Sequence, residues 1–272
     1  MSAPPATPPA KIVTSDFRSP AMKAFVQYIV RTIEHERIRG RRGWHEHFEA
    51  YEWPRGRAGC REGIAARTRF HDAVTRARES NDRDAARLKS EVCNAIAGWG
   101  GINAPVSESD VGWIFSTIEI LSSCRDADNI DCQNIFGRRI ATTSKVYYLS
   151  NPWAWTIYDS RVAYALNQFA FAFRNENATA FDQIQDHITF AVPASKSITR
   201  KSSFGNIWND RYAPQWFVRA SLLLREIASA LNVQSLQVPQ YAIDDADGWA
   251  LYHVEMVLFM LGECRWVEQH HA

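Results

Sequence analysis

Apolar residues recur along this 272-residue chain at helical rather than strand spacing. Between residues 22 and 37 they fall at Phe25, Tyr28, Ile29 and Ile33, the i, i+3, i+4 stripe that one helix face presents to a core. Residues 63–78 and 82–97 continue the pattern, the second behind Asn81 as cap residue and ahead of the stretch GWGG. Serines in VSESD precede an apolar helix at about residues 111–122, and the polar RDADNIDCQN follows as a connector. Residues 136–150 read as a helix that stops at Asn151-Pro152, because the residue before proline avoids the helical region. Asp159 then opens SRVAYALNQFAFAF, apolar almost all round and therefore buried. Residues 174–215 read as loop-rich, with a basic SKSITRK segment, and residues 216–231 as a helix ending at Asn232. The last element, DGWALYHVEMVLFMLG, predicts a hydrophobic helix capped at Gly262. With no βαβ alternation, no Asn-Gly hairpin and no repeat period, the fold class predicted is all-α.

Composition narrows the class without choosing a function. A chain that is 46% hydrophobic and 22% charged is long enough for one large domain or two small ones. The proline-rich MSAPPATPPAK denies its residues helix or ladder bonds, so residues 1–15 are expected to form a flexible tail. Residues 16–272 are expected to form a single helical domain, or two helical subdomains with a cleft between them. That N-terminal stretch lacks the apolar core of a signal peptide, and no apolar run reaches the roughly 18 residues of a membrane span. Five cysteines without CxxC spacing suit a reducing compartment, so a cytoplasmic protein without membrane partners is expected. The net charge is only +1, but residues 31–89 hold 15 Lys/Arg against 10 Asp/Glu, nearly all the bases being arginine. RIRGRRGW, with Arg41 and Arg42, and WPRGRAGCREG are the densest patches. Arginine forks beside glycines suit phosphate, and equally suit a solvated, salt-bridged surface.

The candidate chemistry centres on ATTSKVYYLSNPWAWTIYDSRVAYAL, residues 141–166. Lys145 sits mid-helix among Ile140, Val146, Tyr147 and Leu149, where burial would lower the cost of losing its proton. A deprotonated lysine attacks carbonyl or anomeric carbon. Asp159 stands at the N-cap of the next helix, where backbone N–H groups keep a carboxylate ionised. The short NPWAWTIY link brings the second helix back toward the first. Such a pair is either a salt bridge and cap, or an amine and a carboxylate facing one pocket.

TIYDSRVAYAL resembles the segment after the hairpin in helix–hairpin–helix DNA glycosylases of the endonuclease III and 8-oxoguanine glycosylase superfamily. FGRRIATTSKVYYL occupies the place of the hairpin's second helix, where bifunctional members carry their lysine, and WALYHVEMVLFMLG is loosely similar to a C-terminal helix of bacterial relatives. The resemblance implies a helix–hairpin–helix glycosylase-like fold acting on double-stranded DNA with a damaged or modified base. It implies that Asp159 stabilises oxocarbenium character at the sugar or deprotonates the nucleophile, and that Lys145 displaces the base and forms a Schiff base with C1′. The family hairpin reads Leu-Pro-Gly-x-Gly; here NIFGRRIAT keeps Gly137 alone, and Arg138 and Arg139 stand where backbone amides would meet phosphate. The interval from lysine to aspartate is also shorter than in the better-known members. No cysteine run for the iron–sulfur cluster of some relatives is present, so no cofactor is expected.

Base excision needs a pocket for the extruded nucleotide. Of the tryptophans at loop or helix ends (Trp99, Trp113, Trp153, Trp155, Trp208 and Trp249), Trp153 and Trp155 flank the proposed chemistry and are the first candidates for stacking, with Tyr158 beside them. Glu255 lies in an otherwise apolar helix, where it reads a base edge, pairs with an arginine or faces a solvent gap. Ser144, Arg161, Lys196 and Lys201 join Arg41, Arg42, Arg138 and Arg139 as candidate DNA contacts. His45, His47 and Glu49 lack a further ligand at metal-site spacing, so no metal is expected. The expected protein is a monomeric DNA glycosylase. The alternatives are a non-catalytic helical DNA-binding protein and a protein-contacting subunit of a defence system.

Overall fold

The computed structural model describes residues 11–38, 42–53, 59–81, 84–102, 104–193, 204–243 and 247–263. Within them ten α-helices and one two-stranded sheet form around a continuous apolar core, so the all-α expectation holds. Helices α3 (Cys60–Glu79), α4 (Ala85–Trp99), α5 (Glu108–Cys124) and α6 (Ile140–Ser150) pack on one another. Helices α1 (Pro20–Ile38), α7 (Ser160–Glu176), α8 (Ala178–Ile188), α9 (Ala213–Val233) and α10 (Leu251–Glu263) form the other cluster, with α2 (Trp44–Glu49) against α10. The link between α6 and α7 crosses from the first cluster to the second, and α10 lies along α7.

Several local expectations are corrected. Residues 11–13, assigned to the flexible tail, form β1 (Lys11–Val13), which pairs antiparallel with β2 (Asn129–Asp131) in the register Ile12↔Ile130. The two isoleucines are buried, and that burial outweighs the preceding prolines. Residues 1–10 lie outside the described residues. The loop-rich region contains α8, whose Phe181, Ile184 and Ile188 recur at spacings of three and four and are buried. Helix α4 begins behind Asp84 rather than Asn81. Helix α6 begins at Ile140, four residues later than expected, because Arg139 adopts a left-handed conformation (φ 53°).

Gly262 is no cap. It lies inside α10, where a Cβ would stand 2.1 Å from the carbonyl oxygen of Arg161. Only a residue without a side chain lets α10 approach the first turn of α7 so closely. No described helix is long and apolar enough to cross a membrane.

Candidate functional site

The α6–α7 link is clamped at both ends. Asn151 O accepts from the N–H groups of Ala154 and Trp155, turning the chain after Pro152. Further along, Thr156 N donates to Ser221 Oγ at 3.1 Å and Tyr158 N to Ser144 Oγ at 3.0 Å. These two serines tie the link to α9 and α6 and so set where α7 begins. Asp159 is its N-cap as expected: Oδ1 accepts from Arg161 N at 2.8 Å and from Val162 N at 3.0 Å.

Lys145 and Asp159 wall one cavity of about 170 Å³. It opens where the two helix clusters meet, between the C-terminal end of α4, Tyr51 and Trp53 on one side and α7 and α10 on the other. Tyr51, Trp53, Trp99 and Phe259 supply aromatic walls, and Arg161 and Glu255 complete the charged set. The Arg161 guanidinium lies over the rings of Trp53 and Phe259, at 4.8 and 4.6 Å from their centroids. It also reaches Asp159 Oδ2 at 3.5 Å.

The lysine is held by position rather than by a salt bridge. It is buried, its Nζ donates to Ala141 O one turn back, and it pairs with no described carboxylate. Burial lowers its pKa below the ordinary lysine value, while the charges of Asp159 and Glu255 pull it back up and Arg161 lowers it further. Its methylenes pass over Gly100, where a Cβ would stand 2.5 Å from both Cδ and Cε.

Glu255 sits opposite, fully buried and in contact with Arg67, also fully buried, at 2.9 Å. Burial raises the Glu255 carboxyl above its ordinary pKa, and Arg67 opposes that shift. Arg67 in turn donates to Tyr148 Oη at 2.7 Å and Tyr51 Oη at 3.2 Å. Of the three readings open for Glu255, pairing with an arginine is observed, at a position that also lines the cavity.

No family model, curated protein or solved structure matches this chain. The residues must therefore speak through their own chemistry. A buried amine that sheds its proton at lower pH is a nucleophile, a capped carboxylate stabilises a nearby cation, and aromatic walls accept a flat ring.

The remaining candidate residues divide. Trp153 and Trp155 do not line the cavity: the link turns Trp155 onto Phe217 of α9 (5.7 Å between centroids) and Trp153 edge-on to His71 of α3 (5.3 Å). Tyr158 does not line the cavity either: it is buried, its ring packs against those of Phe190 and Trp208, and it donates to Ala191 O at 2.6 Å. Ser144 is fully buried as the latch of the link, so it offers no surface to DNA. Arg161 is in the cavity wall rather than on an open face. Arg139 donates to Ala104 O and Pro105 O, holding the loop before α5. Arg138, 3.8 Å from Asp110, and Arg42 are exposed. Arg41, Lys196 and Lys201 lie outside the described residues. Gly137 packs against Pro214, where a Cβ would meet Cδ at 2.5 Å, so helix packing rather than phosphate approach requires it.

The sequence reading missed Tyr51, Trp53, Arg67 and Phe259. Trp53 stood at the edge of an arginine-glycine patch and Phe259 one turn from Glu255, which were the available signals. His45 Nε2 lies 3.3 Å from Glu49 Oε1, and among the described residues no group of three His, Cys, Asp or Glu converges on a metal position.

Proposed function

We propose that this protein is a DNA glycosylase of helix–hairpin–helix type, which takes an extruded damaged or modified base and breaks its bond to the sugar. The observation that carries this reading is the sharing of one small aromatic cavity by Lys145, its pKa lowered by burial, and Asp159, the N-cap of α7. At about 170 Å³ the cavity is below the roughly 300 Å³ at which small-molecule sites begin, which suits a single ring system rather than a whole nucleotide.

In this mechanism the neutral Lys145 amine attacks C1′ and the glycosidic bond breaks, the electron pair leaving with the base, which takes up a proton. Asp159 stabilises positive charge on the sugar as that bond lengthens. The amine then loses its proton to Asp159, the sugar ring opens and a Schiff base forms between Nζ and C1′; the same proton transfer is needed when the amine attacks the sugar of an abasic site. Strand cleavage by β-elimination follows from that Schiff base. Exposed Arg138 and Arg42 serve as phosphate contacts that position the duplex.

Asp159→Asn tests the assignment, because asparagine caps a helix about as well as aspartate and leaves α7 in place. The variant is expected to bind an abasic-site duplex as the wild type does while its strand cleavage falls about a hundredfold or more. Undiminished cleavage by Asp159→Asn would remove the carboxylate from the mechanism.

A further inference from the structure

The bond-breaking chemistry leaves the Glu255–Arg67 pair unused. Arg67 is immobilised on every side: Nε donates to Tyr148 Oη, Nη1 to Gly63 O at 3.3 Å, and Nη2 to Tyr51 Oη and Glu255 Oε2. Its guanidinium lies 5.0 Å from the Tyr51 ring centroid and 5.3 Å from that of Trp99. It has five donors and no acceptor, so it fixes which carboxylate oxygen faces it. The other oxygen, Oε1, is buried with no hydrogen-bond partner among the described residues, on a residue that lines the cavity. A dry carboxylate oxygen beside an open cavity is costly until an N–H group reaches it.

We infer that Glu255 Oε1, oriented by Arg67, reads the edge of the extruded base, and that the substrate is a base presenting an N–H donor there, either a ring N–H or an exocyclic amine. This rests on the glycosylase reading of the same cavity. A carbonyl or unprotonated ring nitrogen in that position would set lone pair against lone pair. A site built around such a bond rejects the analogue lacking the donor far more strongly than one that discriminates by size. Arg67 is a positioning residue: it touches no base, and it decides which oxygen does.

Glu255→Gln provides a test with a distinctive sign. Arg67 can only donate, so it takes the amide oxygen and turns the amide NH₂ toward the cavity, replacing an acceptor with a donor. The probes are duplexes carrying adenine, 2-aminopurine, hypoxanthine or purine, and cytosine, thymine or 2-pyrimidinone, each opposite a tetrahydrofuran abasic analogue so that no base pairing contributes. The wild type is expected to bind the best member of each set that bears an amine or a ring N–H about tenfold or more tightly than the member with neither, purine or 2-pyrimidinone. In Glu255→Gln that preference is expected to vanish or reverse. Equal affinities in the wild type overturn the inference whether or not the variant folds, and so does an unchanged preference in a folded variant. Covalent trapping on an abasic duplex involves no base and separates the two claims. An adduct without donor preference sinks this inference alone, whereas no adduct sinks the reading beneath it.

Discussion

The Lys145 side chain runs over Gly100 because that position carries no Cβ. Gly100 has φ −73°, a conformation open to any residue, so Gly100→Ala introduces no backbone strain. The new methyl can be relieved only by moving the lysine methylenes. Gly100→Ala is therefore expected to keep its unfolding midpoint in urea close to that of the wild type while losing about a hundredfold in abasic-site cleavage, the cost of misplacing a reacting atom by about 1 Å. Wild-type cleavage in the variant would mean that the amine's position does not matter. Lys145 and Asp159 were legible because a lysine in an apolar helix and an aspartate before one are local signals. Arg67 was not. Its meaning depends on Glu255, 188 residues away, and no spacing rule joins an arginine to a glutamate across that interval. The two tryptophans of the link misled for the converse reason: proximity in sequence put them beside the chemistry, and the turn at Asn151 and Pro152 directs them into the packing of α9 and α3.

Among the elements, α7 and α10 carry the geometry of the site. Asp159, Ser160 and Arg161 enter the cavity from the start of α7, while Glu255 and Phe259 enter from α10. Gly262 lets the two helices close on each other, its missing Cβ falling where the Arg161 carbonyl stands. Backbone cannot yield as a flexible side chain can, so Gly262→Ala is expected to cost about 1–3 kcal/mol. It is also expected to lower the abasic-site activity more than stability alone explains, because α7 must shift and take Asp159 with it. Urea unfolding and a cleavage assay on the folded fraction measure both effects; a variant of wild-type stability would contradict the contact. At this scale the apolar pattern located most helices, since stripes of Phe, Ile and Leu are local. It lost α8, whose three buried residues are diluted by polar neighbours, and the first turn of α6, where Arg139 takes a left-handed conformation that the periodicity does not encode. The glycine in α10 was visible, but as a helix end, because its real partner lies on another helix.

At the scale of the whole molecule, buried ionisable groups outside and inside the site make stability depend on pH in different ranges. His47 and His253 are buried, and burial lowers the pKa of each from 6.5 to about 4. His253 Nδ1 accepts from Ala250 N at 3.0 Å, and its Nε2 lies 2.8 Å from Tyr241 O, so the neutral ring with its proton on Nε2 satisfies both partners. The unfolded chain takes up these protons near pH 6.5 and the folded chain only near pH 4. Their contribution is thus present above 6.5 and lost as pH falls toward 4, on the order of 3 kcal/mol for each histidine. Urea midpoints should fall steeply across that window, and a flat profile would contradict the neutral, buried assignment. Lys145 works in the opposite range. Its pKa is lowered in the folded state, so its burial costs stability at neutral pH, and that cost is relieved as pH rises toward the unfolded value of 10.5. Lys145→Met is accordingly expected to raise the urea midpoint at pH 7. A buried lysine that costs stability is the signature expected of a residue kept for chemistry rather than for the fold.

Borohydride trapping on a duplex with a single abasic site tests the central claim most directly, because it requires no knowledge of the base removed. A covalent protein–DNA adduct is expected, mapped by peptide mass to Lys145 and absent from Lys145→Ala. An adduct at another lysine, or none from protein that binds the duplex, would contradict the assignment of Lys145 as the nucleophile of this cavity.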